Sequence, residues 1–139
     1  MKSKLAKCFA LGMGLVMVCG PMSAHHGSAV SYIMDLKQLV TMKGTVTSFE
    51  WQNPHVFILY DVKDDKGNVV HWGAETHAPA VLTDHDGWTM NTFKPGDQIT
   101  ITVFPSKTGS PRGLLAKIVL NDKVLLDDGA TRIRNPNGG

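Results

Sequence analysis

Six histidines are the residues of this chain best suited to chemistry: His25, His26, His55, His71, His77 and His85. Both cysteines, Cys8 and Cys19, precede all of them. Past residue 24 there is no thiol, so imidazole is the natural ligand for a transition metal. His25 and His26 are adjacent. If residues 1–24 are removed, His25 becomes the first residue and offers a free α-amine beside its ring nitrogen. Two such donors chelate one ion, and His55 or His26 can complete the site. Nitrogen-rich, near-planar ligation favours Cu(II), with zinc as the other candidate. His71, Glu75 and His77 are possible secondary ligands, and Glu75 could instead orient a histidine. The plain alternative is a solvated His-His lead-in, with His55 hydrogen-bonded to backbone at a strand start.

That chemistry depends on removal of the first segment. Residues 1–7 carry Lys2, Lys4 and Lys7, residues 9–18 (FALGMGLVMV) are almost purely apolar, and Gly20, Pro21, Ser23 and Ala24 are small or turn-forming. Basic, apolar and small residues in that order make a secretory signal peptide. The apolar run is about half the ~20 residues needed to span a bilayer. Cleavage after Ala24 and a periplasmic or secreted product are therefore expected, with no anchor retained.

Charge excludes one class of partner. The 139 residues carry 14 Lys+Arg and 12 Asp+Glu, a formal charge of +2. Without residues 1–24, which hold three lysines and no acid, 11 basic side chains face 12 acidic ones. No basic stripe remains for phosphates, so nucleic acid is not an expected partner.

The elements that must position the histidines are mostly strands. Residues 25–40 are a polar lead-in. Residues 41–51 (TMKGTVTSFEW) and 55–63 (HVFILYDVK) read as strands separated by Gln52-Asn53-Pro54, and 69–77 (VVHWGAETH) as a third after a Gly-containing hairpin loop. Pro79 can open a short helix over residues 78–85, which Gly87 ends. Residues 98–105 (QITITVFP), after the Lys94-Pro95-Gly96-Asp97 turn, are a fourth strand. Residues 114–126 are a fifth, with a hairpin at 121–123. Residues 127–139 look like a flexible, solvated tail. Three strands, a short helix and two strands is the order of an OB-like five-stranded barrel, here expected over residues 41–126 and all-β in class.

Strand parity sorts the third strand. Val70, Trp72, Ala74 and Thr76 form its apolar face, so His71, Gly73, Glu75 and His77 point outward. In the second strand His55, Phe57, Leu59 and Asp61 alternate with Val56, Ile58, Tyr60 and Val62.

Several stretches together resemble a known family. They are Ala24-His25-His26-Gly27-Ser28, Gly44-Thr45-Val46, Phe49-Glu50-Trp51-Gln52-Asn53-Pro54-His55, then Trp72, Glu75 and Pro79, and Gly87-Trp88 with Lys94-Pro95-Gly96-Asp97. The chain is similar over roughly residues 24–126 to small exported bacterial proteins labelled only as a domain of unknown function. The resemblance implies a cell-envelope location and a β-rich fold, and brings no activity. One position departs from the family pattern: Ala78 stands where a serine usually caps the helix, a loss of roughly 1 kcal/mol. Thr76 is the nearest hydroxyl that could substitute.

Catalytic patterns are thin. Glu50 and Glu75 lack a carboxylate partner at a predictable distance, and Ser28, Ser31 and Ser48 lack a nucleophile-elbow context. The expectation is an exported binding protein, not an enzyme, holding copper or zinc through His25, His26 and His55. The alternative is an OB-type module that binds a peptide, a saccharide or an envelope protein without metal, using Trp51, Asn53, Trp72 and Trp88.

Overall fold

In a computed structural model, residues 27–135 are described. His25 and His26, and the signal segment, lie outside them. Helix α1 (Ser28–Ser31) and a 3-10 turn (Leu36–Gln38) lead into β1 (Val40–Glu50). β2 (Phe57–Lys63), β3 (Val69–Glu75), helix α2 (Pro79–Asp86) and β4 (Gln98–Pro105) follow. β5 (Arg112–Leu120), β6 (Lys123–Asp127) and helix α3 (Gly129–Arg134) complete the described chain.

The strands run β3-β2-β1-β4-β5-β6, and a parallel β3–β5 pairing closes the first five into a barrel. β1 makes closure possible. Its first half pairs with β4 (Val40↔Val103 to Thr45↔Gln98) and its second half with β2 (Thr45↔Asp61 to Glu50↔Phe57). At the changeover a Cβ on Gly44 would sit 2.8 Å from the Tyr60 ring, so only glycine lets the strands approach there. This is the OB-like barrel with one short helix between strands 3 and 4.

Period-two patterning fills the interior. Ile58, Ala74, Ile101, Val103, Leu115 and Ile118 point inward and are buried. Leu82 of α2, Trp88 and Phe93 close one end; the Trp88 and Phe93 rings meet edge to face at 5.1 Å. α2 begins at Pro79 although Ala78 supplies no side-chain cap, and Gly87 ends it in the left-handed conformation at φ 68°. Thr76 does not replace the missing serine. Its hydroxyl accepts from Arg132 Nη2 at 3.1 Å.

The hairpin expected at residues 121–123 is present and divides β5 from β6: Asn121 and Asp122 take positive φ (51° and 62°) and reverse the chain. One expected boundary changes. The tail expected to be solvated over residues 127–139 folds back where it is described. Residues 129–134 form α3, and Arg132 is only 5% exposed. Residues 136–139 are outside the described set. The second and third strands are also shorter than expected by two residues at one end. Backbone bonds from Val56 to the His77 carbonyl (3.1 Å) and from Thr76 to the Val56 carbonyl (2.9 Å) still continue their pairing.

A second, smaller apolar cluster lies outside the barrel. Phe104, Leu114 and Ala116 face away from the interior and are covered by Tyr32, Met34 and Leu39 of the lead-in and Ile133 of α3. The outer face of β4–β5 is thus roofed by chain from both ends of the domain.

Candidate functional site

Beside that roof the outer face of β1, β2 and β3 is open. Cross-strand partners share a face of a sheet. Glu50↔Phe57↔Glu75 is one such row, and Leu59↔Gly73↔Arg112 the next. Together they floor a groove of about 640 Å³, which Tyr32 and Pro111 help to wall. Gly73 leaves bare backbone at its centre.

His55 stands at the end of this face, just after the turn that carries the cis Asn53–Pro54 peptide. Its Nδ1 lies 2.5 Å from Glu75 Oε1, with 40% of the ring side chain exposed and Glu75 at 21%. The other carboxylate oxygen, Oε2, accepts a hydrogen bond from the Tyr32 hydroxyl at 2.5 Å. Burial first, then the bond to Glu75, pushes the Tyr32 phenol well above its ordinary value, so it remains a donor. Two lone pairs cannot share a contact of that length, so Nδ1 is the donor to Glu75. In the neutral ring Nε2 is then the nitrogen with its lone pair available. A carboxylate on one ring nitrogen, fixing tautomer and orientation, is the support a metal-binding histidine ordinarily has.

The remaining histidines do not join it. His71 Nδ1 is hydrogen-bonded to Asp61 at 2.6 Å, 83% exposed. The Asp61↔His71 row is four residues from Phe57↔Glu75, about 13 Å along the strands. His77 Nε2 is bonded to Asp128 at 2.6 Å and 15% exposed, and Asp128 also pairs with Arg132. Of the possible secondary ligands His71, Glu75 and His77, the structure brings only Glu75 to His55. Each imidazole has its own carboxylate: Glu75 for His55, Asp61 for His71, Asp128 for His77. Glu75, with both oxygens engaged, is an orienting group. Among the described residues no group of three or more His, Cys, Asp or Glu side chains is placed to hold a metal ion. His25 and His26, the other expected ligands, are outside the described residues.

The ligand-binding expectation also divides. Trp72 borders the groove, but its ring stacks on Tyr60 at 6.5 Å and packs against the core on the inner face. Trp88 is 2% exposed and donates through Nε1 to the Leu125 carbonyl at 3.1 Å, so it is a core plug and offers no surface to a ligand. Trp51 packs on Phe49 at 5.7 Å, and Asn53 is exposed in the turn; neither lines the groove. Tyr32 and Arg112 are the groove residues that sequence reasoning missed. A signal was present. Val103-Phe104 and Leu114-Leu115-Ala116 break the apolar alternation, which means both faces are covered there. The lead-in was the nearest chain able to cover them, and Tyr32 sits at its edge.

A family model described as "Family of unknown function (DUF6152)" matches residues 13–116, in keeping with the domain-of-unknown-function resemblance of the motifs. No curated protein matches the chain. Among solved structures, the crystal structure of a mitochondrial single-stranded DNA binding protein from S. cerevisiae is similar with a TM-score of 0.40 and 8% identity. The match covers 60% of this chain and 93% of that one. A likeness of that size carries no argument about what either binds.

Proposed function

We propose, for a chain that belongs to the family of unknown function DUF6152, an exported binding protein of the cell envelope that holds copper or zinc on the outer rim of its barrel. The observation that carries this reading is the His55 Nδ1–Glu75 contact of 2.5 Å, with Tyr32 on the far carboxylate oxygen. It leaves the other imidazole nitrogen without a partner among the described residues, on a side chain that is 40% exposed. The same tyrosine ties the lead-in to this corner. Tyr32 is six positions after His26, with five residues between them, which limits the distance between the two to about 20 Å. A chain cut after Ala24 would bring an α-amine and the His25 ring within reach of His55, with His26 as a further donor. Three nitrogens from His25 and His55 suit Cu(II).

The test begins with export of the full chain and mass spectrometry of its first residue. A product starting at His25 is titrated with Cu(II). One-to-one binding is expected to be lost in His25→Ala, in His55→Ala and when a methionine precedes His25. Weak binding unaltered by all three changes would remove the metal reading.

A second reading rests on a separate observation, the groove of about 640 Å³ on the outer face of β2 and β3. OB barrels take their ligands across that face. In this reading the groove is an interaction site for a peptide, a saccharide or an envelope partner, without metal.

A further inference from the structure

We infer that the groove is built for a short peptide with free ends, its amine toward Glu50 and its carboxylate toward Arg112. This rests on the second reading above and narrows it to one ligand chemistry.

The argument is one of placement. Glu50 and Arg112 both line the groove, and neither side chain has a hydrogen bond or ion pair among the described residues. The other ionisable acid and histidine in the lining are engaged: Glu75 with His55 and Tyr32, and His71 with Asp61. Among the described residues that line the groove, one unpaired carboxylate and one unpaired guanidinium therefore remain.

Their register places them at opposite corners. Glu50 is paired with Phe57, which is paired with Glu75, whereas Arg112 is paired with Gly73 two residues along β3. Three strand spacings and two residue steps put their Cα atoms on the order of 15 Å apart along the curved sheet, and less in a straight line. With the lengths of the two side chains taken off, two or three extended residues, at about 3.3–3.6 Å each, match that span. Between the corners lie Phe57, Leu59 and the bare backbone of Gly73. A Cβ on Gly73 would meet only Leu59 Cδ2 at 3.4 Å, so the space above it belongs to the groove. An apolar central side chain with opposite charges at its ends complements this arrangement. A neutral saccharide can hydrogen-bond to both groups but leaves their charges unneutralised. Arg112 suits a terminal carboxylate, because a guanidinium can bind both oxygens at once.

The test uses the exported full chain, labelled with nitrogen-15, and follows backbone amide shifts. The probes are alanyl-phenylalanyl-alanine with free ends, its N-acetylated form, its C-amidated form, and maltotriose. The free tripeptide is expected to shift the amides of His71, Gly73 and Arg112. Blocking either end should weaken binding at least tenfold. In Arg112→Gln the free and amidated forms should bind alike, and in Glu50→Gln the free and acetylated forms should do so. Equal affinity for all three peptide forms overturns the inference. So does maltotriose moving these amides while the tripeptide does not, although the groove then survives as a binding site. If no probe moves them, the groove reading fails together with the inference.

Discussion

The outer surface of the barrel has two halves that began with the same problem. On β4–β5, Phe104, Leu114 and Ala116 are covered by the lead-in and by α3. On β2–β3, Phe57, Leu59 and Gly73 remain open and floor a groove. The covered half is closed by ionic groups withdrawn from water: His77, Asp128, Arg132 and Thr76 bond to one another at the foot of α3. The open half carries the same residue types with free valences: His55 Nε2, Glu50 and Arg112. In the covered half these groups pair with one another, and only the His77 Nδ1 atom of that cluster is buried without a partner among the described residues. Tyr32 belongs to both halves, packing under the roof while its hydroxyl holds Glu75.

The two arginines give the largest contrast. Arg132→Ala would leave Asp128 without its guanidinium and the Thr76 hydroxyl without its donor in a nearly closed site, at a cost of about 3 kcal/mol in unfolding free energy. Arg112→Ala should change stability by less than about 0.5 kcal/mol while altering binding in the groove. Urea denaturation of both variants measures the difference. Equal costs would end the distinction between a clasped and an open half.

Two tyrosines sharpen it at smaller scale. The Tyr32 hydroxyl donates to a carboxylate, so Tyr32→Phe should cost about 1–2 kcal/mol. The Tyr60 hydroxyl is buried without a partner among the described residues, and its burial raises the phenol far above its ordinary value. Tyr60→Phe should therefore be neutral or stabilising. Thermal melts of the two variants should move in different directions, or one should not move at all.

The smallest effect is one of pH. Burial, and after it the neighbouring Asp128, raises the Asp86 carboxyl above the usual range. Folding therefore favours the protonated acid. That contribution is complete below the ordinary carboxylate value and is lost as pH rises through the higher folded value. Asp86→Asn should raise the unfolding temperature slightly at neutral pH and leave it unchanged near pH 3.

Much of the open half was legible because it depends on period-two patterning. Parity placed His71, Gly73 and Glu75 outside and Trp72 inside, and the turn before His55 placed that ring half exposed. The Pro79 start and Gly87 stop of α2 were legible for the same reason: their local chemistry is strong. The covered half was not. Residues 129–134 are too short to show apolar periodicity, and α3 forms because Arg132 finds partners 4 and 56 residues away. The sequence leaves Glu75 open between ligand and orienting group because its partners are distant along the chain; Tyr32 is 43 residues away. Trp88 was read as a binding surface because the sequence does not distinguish an aromatic that plugs a barrel from one that lines a groove.

The central claim is that His55 is held by Glu75 with its ε nitrogen free for a metal. The most direct measurement is a proton–nitrogen correlation of the imidazole rings in the exported chain, before and after addition of zinc. The account predicts that His55 is protonated at Nδ1 without metal, and that zinc shifts its Nε2 resonance while the His77 ring is unaffected. A His55 protonated at Nε2, or a ring that zinc leaves unmoved, would contradict it.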